Sequence, residues 1–153
     1  MSTPGVASRP SPIAGLGLFA TQAFAVGDRL VPYSGVPTDR PPGPAADGKV
    51  YALEIAPGRW LDGSSPENPA RHANHACHPN AELLWDESES TAWLKASRPI
   101  RSGEEITFDY GFSLAESLFQ PCACGAPDCI RRIIATPLRP ALRRHLRFSR
   151  PRD

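Results

Sequence analysis

The 153-residue sequence has no long apolar stretch and only two lysines, Lys49 and Lys95. No window approaches the roughly 18 consecutive apolar residues that a membrane-spanning helix needs, and the first residues lack the basic region and apolar run of a secretory leader. This excludes a membrane protein, and we expect a soluble, intracellular one. The excess of arginine over lysine, with abundant alanine and proline, is typical of high-GC coding and indicates a bacterial source. For such a protein we expect a cytoplasmic location.

Proline is abundant, at 18 of 153 residues, and 41% of the chain is hydrophobic. Because proline interrupts helices, this composition disfavours long helices and favours one domain of loop-connected strands around a real core. The predicted strands are the segments RLVPY, VYALEI, RWLD, AELLW, AWLKA and EEITFDY. A helical turn is predicted within SPENPARHANHA, which has proline at early positions and Ser or Asn as caps.

The net charge of +1 conceals an asymmetry between the body and the C-terminal tail. Residues 1–129 carry nine basic and fifteen acidic side chains, whereas residues 130–153 carry eight arginines and one aspartate. Leu138, Leu142 and Leu146 recur at every fourth position, which predicts a short amphipathic helix with an arginine-rich face. Such a tail can bind nucleic acid, an acidic partner or the protein's own acidic face, and an ordinary solvated end is a further alternative.

The glycine stretch GLGLFA, residues 15–20, matches the dinucleotide-binding pattern G-x-G-x-x-G/A. That pattern has meaning after a buried strand and before a helix, with an acid about 20 residues later. Here proline-rich segments lie on both sides, so a dinucleotide fold is not expected. The following residues predict a strand, a turn at Gly27-Asp28 and a second strand.

The four cysteines have the spacing of a metal site. Cys122, Cys124 and Cys129 form a C-x-C-x4-C cluster, and Cys77 is the only remaining thiol. A structural Zn²⁺ needs four ligands and is commonly bound by four thiolates, so we predict a zinc site. Two disulfides or scattered buried thiols are the alternatives, although disulfides would suit a secreted protein.

Two further segments carry polar and aromatic groups, NHACHPN at residues 74–80 and EEITFDYG at residues 104–111. Positions i and i+2 of a strand face the same side, so Phe108 and Tyr110 would line one pocket. Tyr51 would be buried by the alternation in VYALEI as readily as used in a site. Each feature alone has an ordinary structural explanation.

In series, these motifs resemble the SET-domain family of protein lysine methyltransferases, over about residues 11–133. The order is GLGLFA, NHACHPN, EEITFDYG and the post-SET cluster CACGAPDC. The resemblance implies a mainly β fold, a β-clip of short sheets with few short helices, a pseudoknot-like crossing of the two central motifs and a C-terminal zinc knuckle. It places the SET domain at 11–112 and the post-SET segment at 113–134, and the composition predicts a flexible arm at 1–10 and a basic tail at 135–153.

The resemblance also implies a site that binds S-adenosylmethionine. Its methionine part would be held by Gly15, Leu16 and Gly17, and its amino and adenine ends by Asn74 and His75. Tyr110 would be the principal catalytic residue and would also contact the cofactor.

Two aromatic residues would complete the lysine channel. Tyr51 would be its second wall, and Phe108 occupies a position where the family has Phe or Tyr. A phenylalanine there implies room for di- or trimethylation.

The implied function is methyl transfer to a lysine of a basic protein, such as a histone or a histone-like protein. A chromatin location in a host nucleus would require export. Two alternatives remain: an inactive SET-fold binding module that uses its knuckle and basic tail, and a small zinc-ribbon nucleic-acid binder. The sequence departs from the family at Val36, where an acid usually follows the early strand, and it lacks a cysteine-rich pre-SET region.

Overall fold

The computed structural model of the chain describes residues 4–149, and these fold into three small β-sheets with a few short helices. The strands are β1 (Val6–Pro10), β2 (Leu16–Ala20), β3 (Arg29–Tyr33), β4 (Val36–Thr38), β5 (Ala52–Ala56), β6 (Arg59–Asp62), β7 (Asn74–His75), β8 (Ala81–Asp86), β9 (Thr91–Ala96) and β10 (Glu105–Phe108). The predicted mainly β class is confirmed. The six segments predicted as strands all overlap observed strands.

The first sheet has the order β1-β2-β10-β7 and brings the sequence motifs together. Strand β2, which holds the glycine stretch, pairs antiparallel with β10, and β10 pairs parallel with β7. The parallel register sets Thr107 opposite Asn74 and Phe108 opposite His75. The two central motifs therefore meet side by side, although 33 residues separate these partners along the chain.

The prediction of a flexible arm over residues 1–10 is wrong for Val6–Pro10. This segment forms β1, which pairs with β2 along its whole length, and the Val6 side chain is buried in the core. Proline is tolerated because β1 is an edge strand and Pro10 is its last residue. Residues 1–3 lie outside the described residues.

The other two sheets have three strands each, in the orders β3-β9-β8 and β4-β6-β5. The strand-turn-strand prediction around Gly27-Asp28 is correct for the turn, where Gly27 has a φ of +85°, but it does not describe a hairpin. Strand β2 belongs to the first sheet and β3 to the second, since β3 pairs with β9 instead.

One hydrophobic core lies between the sheets. Leu18, Leu94, Ile100 and Ile106 are all at most 1% exposed. Burying a side chain of this size contributes on the order of 1.5–3 kcal/mol to folding. Because Leu18 and Ile106 are register partners on β2 and β10, the core fixes the two strands that carry the site.

The helices are short. A 3₁₀ turn at Pro69–His72 confirms the predicted helical turn, with Asn68 at its N-cap position and Pro69 at its first position. Helix α1 (Leu114–Ser117) begins with a capping box between Ser113 and Glu116. A second 3₁₀ turn precedes helix α2.

Helix α2 (Arg139–Phe148) is the amphipathic helix that the leucine spacing predicts. Its Leu142 is fully buried, whereas Arg143, Arg144 and Arg147 are exposed. Arg139 Nη2 donates a hydrogen bond to the Cys77 carbonyl at 2.5 Å. No helix within residues 4–149 has the length and apolar character to cross a membrane.

Candidate active site and metal centre

A cavity of about 630 Å³ opens where the motifs meet. The glycine stretch, the segment that enters β5, the Asn74-His75 pair and the residues that follow β10 all border it, together with part of the cysteine-rich segment that begins at Gln120. Of the predicted site residues, it is lined by Leu16, Tyr51, Asn74, His75, Phe108, Tyr110 and Cys122. The fold therefore brings together side chains that are far apart in the sequence.

Asn74 connects β7 to the glycine stretch. Its Nδ2 lies 3.2 Å from the carbonyl oxygens of both Ala14 and Leu16, and 2.8 Å from Oε1 of Glu105. The side chain is only 9% exposed, so these contacts replace water as hydrogen-bond partners. Asn74 thereby fixes the path of the loop that carries Gly15.

Gly17 is required by its neighbour Glu105. A Cβ at position 17 would overlap the Glu105 carboxylate, which also accepts hydrogen bonds from Ser11 Oγ at 2.8 and 2.9 Å. The sequence predicts that Gly17 contacts a ligand. It does not show that glycine is also needed here because of the packing against Glu105. Glu105 itself was not among the predicted site residues, because the neighbours of a strand carboxylate depend on the register of β10 with β2.

His75 is neutral and keeps one unused donor. The backbone N–H of Tyr110 donates to His75 Nδ1 at 3.2 Å, which leaves the ring proton on Nε2. Burial lowers the pKa of His75 to about 4, so the contact with Asp109 at 3.8 Å is not an ion pair at neutral pH. Nε2 is buried and has no hydrogen-bond partner within residues 4–149. Such a donor suits a ligand with an acceptor nitrogen, as an adenine ring has.

Tyr110 is held on several sides. Its hydroxyl donates to the Ala73 carbonyl at 2.9 Å, and its ring centroid lies 4.9 Å from that of Phe108 and 5.6 Å from that of Phe112. Burial raises the pKa of Tyr110 to about 12, so the phenol is neutral at physiological pH. The group can orient a partner by hydrogen bonding, and it is not a ready base. The prediction that Phe108 and Tyr110 line one pocket is confirmed.

Two other tyrosines border the cavity. Tyr51, which the sequence predicted, donates its hydroxyl to Oδ2 of Asp47 at 2.6 Å. Tyr33 was not predicted. It is buried at the end of β3, and its hydroxyl donates to the Tyr51 carbonyl at 3.1 Å. The sequence feature that could have indicated Tyr33 is its position at the end of a predicted strand, two residues before Gly35 in PYSG.

The Asn80 side chain forms hydrogen bonds with the backbone of β10. Its Oδ1 accepts from the Thr107 N–H at 2.9 Å, and its Nδ2 donates to the Glu105 carbonyl at 2.8 Å. A fully buried side chain thus replaces a strand partner for β10 and holds the segment that leads to Phe108 and Tyr110.

The four cysteines converge beside the cavity. Their sulfurs all lie within 4.8 Å of one another, with Cys77 Sγ 3.9 Å from that of Cys122 and 3.6 Å from that of Cys129. All four are free thiols, so the alternatives of two disulfides and of scattered thiols are excluded. The predicted meeting of Cys77 with the later cluster is confirmed.

This donor set fits a tetrahedral metal ion such as Zn²⁺. Burial raises the pKa of the Cys77 thiol to about 11 and also raises that of Cys122. Without a cation these groups stay protonated, and a bound cation would supply the charge that holds them as thiolates. Beside them, His78 Nε2 and Asp128 Oδ1 lie 2.6 Å apart and join the two ends of the cluster at the surface.

A family model described as the SET domain matches residues 15–111, about two thirds of the chain. This chain belongs to the SET-domain family. The matched residues run from the glycine stretch to the end of the segment that carries Tyr110, so the SET domain includes both central motifs.

Curated relatives of this SET domain are histone-lysine methyltransferases. The H3 lysine-4-specific enzyme of Mycosarcoma maydis is 34% identical over 133 residues, 79% of this chain and 9% of that protein. The ash1 enzyme of Drosophila melanogaster is 42% identical over 82 residues, 52% of this chain and 4% of that protein. The chain thus spans less than a tenth of the length of either relative.

Solved structures agree with the fold. KRYPTONITE, in complex with mCHH DNA, an H3(1–15) peptide and SAH, has a TM-score of 0.67 and 27% identity, covering 84% of this chain and 29% of that one. Its complex with mCHG DNA and SAH has a TM-score of 0.65 and 28% identity, covering 81% of this chain and 28% of that one. The predicted SET fold is confirmed.

Proposed function

We propose that this chain is an S-adenosylmethionine-dependent protein lysine N-methyltransferase. The observation that supports it most is the shared cavity, which is lined both by Tyr110, whose phenol is neutral, and by His75, whose Nε2 donor has no partner in residues 4–149. The SAH bound to the KRYPTONITE structures and the names of the relatives support the same chemistry.

The residues present fit this cofactor. The buried Nε2 of His75 offers a donor for an adenine nitrogen, and Leu16 of the glycine stretch lines the cavity in which the methionine part would lie. When bound, S-adenosylmethionine supplies a methyl group on a positively charged sulfur.

The protein's own contribution is positioning. A lysine amine has an ordinary pKa of about 10.4 and must lose its proton before it can accept a methyl group. The rings of Phe108, Tyr110 and Phe112, which line the cavity, would disfavour the charged ammonium. The Tyr110 hydroxyl, fixed by its contact with the Ala73 carbonyl, would orient the neutral amine in line with the methyl group.

The substrate we propose is a lysine in a basic protein, such as a histone or a histone-like protein. The excess of acidic residues in residues 1–129 would favour the encounter with such a partner in a salt-dependent way. The H3 peptide in the KRYPTONITE structure supports this class of substrate.

Labelled S-adenosylmethionine, incubated with the protein and a panel of basic proteins, tests activity and substrate together. We expect label in at least one basic protein, and mass spectra of that product should show di- or trimethyl-lysine, because Phe108 leaves room beside the amine. Only monomethyl product would contradict the role of Phe108. Label in none of them, together with tight cofactor binding by calorimetry, would instead favour an inactive binding module.

We also propose that the four cysteines bind one structural Zn²⁺. The convergence of their sulfurs within 4.8 Å supports this, and elemental analysis should give one zinc per chain. Metal-free protein from cells grown with zinc would contradict it.

A second candidate function is nucleic-acid binding through α2. Arg143, Arg144 and Arg147 are exposed, and none has an acid within 4.0 Å in residues 4–149. We expect binding to duplex DNA that weakens with salt. Changing these three residues to glutamine should flatten the slope of log affinity against log salt by about 0.9 for each phosphate that the helix no longer neutralises. An unchanged slope would contradict DNA binding through α2.

A further inference from the structure

Lys49 lies beside the glycine stretch at the edge of the cavity. A Cβ built on Gly15 would be 3.3 Å from the Lys49 Nζ, and both Lys49 and Tyr51 line the cavity. The only other lysine, Lys95, is on β9 in a different sheet. A cationic side chain is therefore placed at the loop that is expected to hold the methionine part of the cofactor.

A small turn presents Lys49 to this position. The Ala45 N–H donates to the Lys49 carbonyl at 2.8 Å, and the Gly48 N–H donates to the Ala45 carbonyl at 2.9 Å. Oδ1 of Asp47 accepts from the Lys49 N–H at 3.0 Å, while Oδ2 accepts from the Tyr51 hydroxyl at 2.6 Å. The turn over residues 45–49 therefore couples the position of Lys49 to that of Tyr51.

The Lys49 ammonium has no counter-ion in the described residues. No acid lies within 4.0 Å of it in residues 4–149. Two carboxylates of this region are engaged elsewhere: Asp47 by the turn and Glu105 by Ser11 and Asn74.

The other cation that borders the cavity, Arg71, is already occupied. Its Nη1 donates to the Ser64 carbonyl at 2.6 Å, and its guanidinium lies 5.3 Å from the Tyr51 ring centroid. Of these two cations, Lys49 is the one whose charged atom lies beside Gly15.

We propose that Lys49 binds the carboxylate of the cofactor's amino-acid end and that this contact closes the 45–49 turn over the cavity. The inference rests on the proposed function for the identity of the cofactor. The carboxylate is the only anionic group of S-adenosylmethionine, and ammonium-carboxylate hydrogen bonds are among the stronger ones in proteins. Because Tyr51 follows the same turn, cofactor binding would also fix one wall of the lysine channel before the substrate arrives.

Calorimetry with two ligands tests the charge pairing. S-adenosylhomocysteine carries the amino-acid end, and 5′-methylthioadenosine lacks it. Replacing Lys49 by methionine should weaken S-adenosylhomocysteine about fivefold, the upper range for a partly exposed ion pair, and leave 5′-methylthioadenosine unchanged. Lys49→Arg should retain most of the affinity, and the matched control Lys95→Met should bind both ligands like the wild type.

Hydrogen exchange tests the closure of the turn. S-adenosylhomocysteine should slow amide exchange over residues 45–51 in the wild type, and this protection should be absent in Lys49→Met. Protection that persists in Lys49→Met would contradict the coupling.

Two outcomes overturn the charge pairing: unchanged S-adenosylhomocysteine affinity in Lys49→Met, or an equal loss for both ligands, which would indicate a packing role. Failure of the wild type to bind either ligand is a different result. It would contradict the proposed cofactor itself.

Discussion

The cavity and the thiol cluster are joined by one short segment, residues 74–77, yet they are stabilised in different ways. On the cavity side, Asn74 and Tyr110 have hydrogen-bond partners within the chain. On the other side, the Cys77 sulfur lies against the sulfurs of Cys122 and Cys129, and burial raises its pKa to about 11. The cavity is therefore bordered by groups with partners in the chain, whereas the buried thiols of the cluster would need a bound cation to be held as thiolates.

Substitutions in the cavity and in the thiol cluster should therefore have different consequences. Removing a cavity group should change binding or catalysis while the fold persists, because its neighbours retain other partners. Removing a thiol should change the fold, because Cys77 connects the end of β7 to the segment that precedes α2. The following experiments test that distinction, beginning with the largest effect.

The largest effect is expected from loss of a metal ligand. Cys77→Ser should lose zinc and destabilise the region after residue 112, since structural zinc supplies on the order of 10 kcal/mol in small zinc domains. Elemental analysis and thermal unfolding measure this. His78→Ala is the control, because it removes the exposed contact with Asp128 and leaves four thiols. A Cys77→Ser protein with full zinc content would refute the metal assignment.

Tyr110→Phe should give the next largest effect, and mainly on catalysis. We expect kcat/KM for methyl transfer to fall at least about 100-fold, the order seen when a fixed hydrogen-bonding group is removed from a dry site. Stability should decrease by about 1 kcal/mol, for the missing bond to the Ala73 carbonyl. S-adenosylhomocysteine binding by calorimetry is the control and should persist. Turnover near that of the wild type would contradict the assignment.

The sequence predicted the parts of this molecule that depend on local pattern. Strand β6, at Arg59–Asp62, is the predicted RWLD segment, and the convergence of Cys77 with the later cluster followed from the count of ligands. The residue pattern of a strand and the number of potential metal ligands can both be counted in a sequence.

What the sequence could not predict depends on contacts between distant segments. Glu105 came to Gly17 through the antiparallel register of β10 with β2, and Tyr33 came to Tyr51 across two different sheets. The first residues were predicted as an arm because their prolines disfavour strands, yet burial of Val6 and an edge position outweigh that preference. Strand register and burial by distant segments depend on tertiary contacts, and a short stretch of sequence contains little information about them.

Gly17→Ala should give a smaller effect, which is a loss of stability. The added methyl group would overlap the Glu105 carboxylate, and overpacking of this kind costs about 1–3 kcal/mol. Urea unfolding measures the cost. Gly43→Ala is a matched control, because a Cβ there meets no atom within 4 Å. In a Glu105→Ala background the same change should cost less, and an equal cost in both backgrounds would exclude Glu105 as the cause.

The smallest effect is expected at the contact between Asp47 and Tyr51. Burial first, and then the hydrogen bond to Asp47, raise the pKa of Tyr51 to about 12. Since the unfolded chain ionises at about pH 10, the stabilisation from this contact is complete below that pH and disappears as the pH rises through about 12. Asp47→Ala should lower the pKa of Tyr51 and so narrow the pH range over which this stabilisation is lost. Burial should still keep the pKa of Tyr51 above 10. A titration of tyrosinate absorbance, with Tyr51→Phe identifying the signal, would measure the shift. An unchanged pKa would show that burial alone accounts for it and that the turn at 45–49 does not hold the Tyr51 hydroxyl.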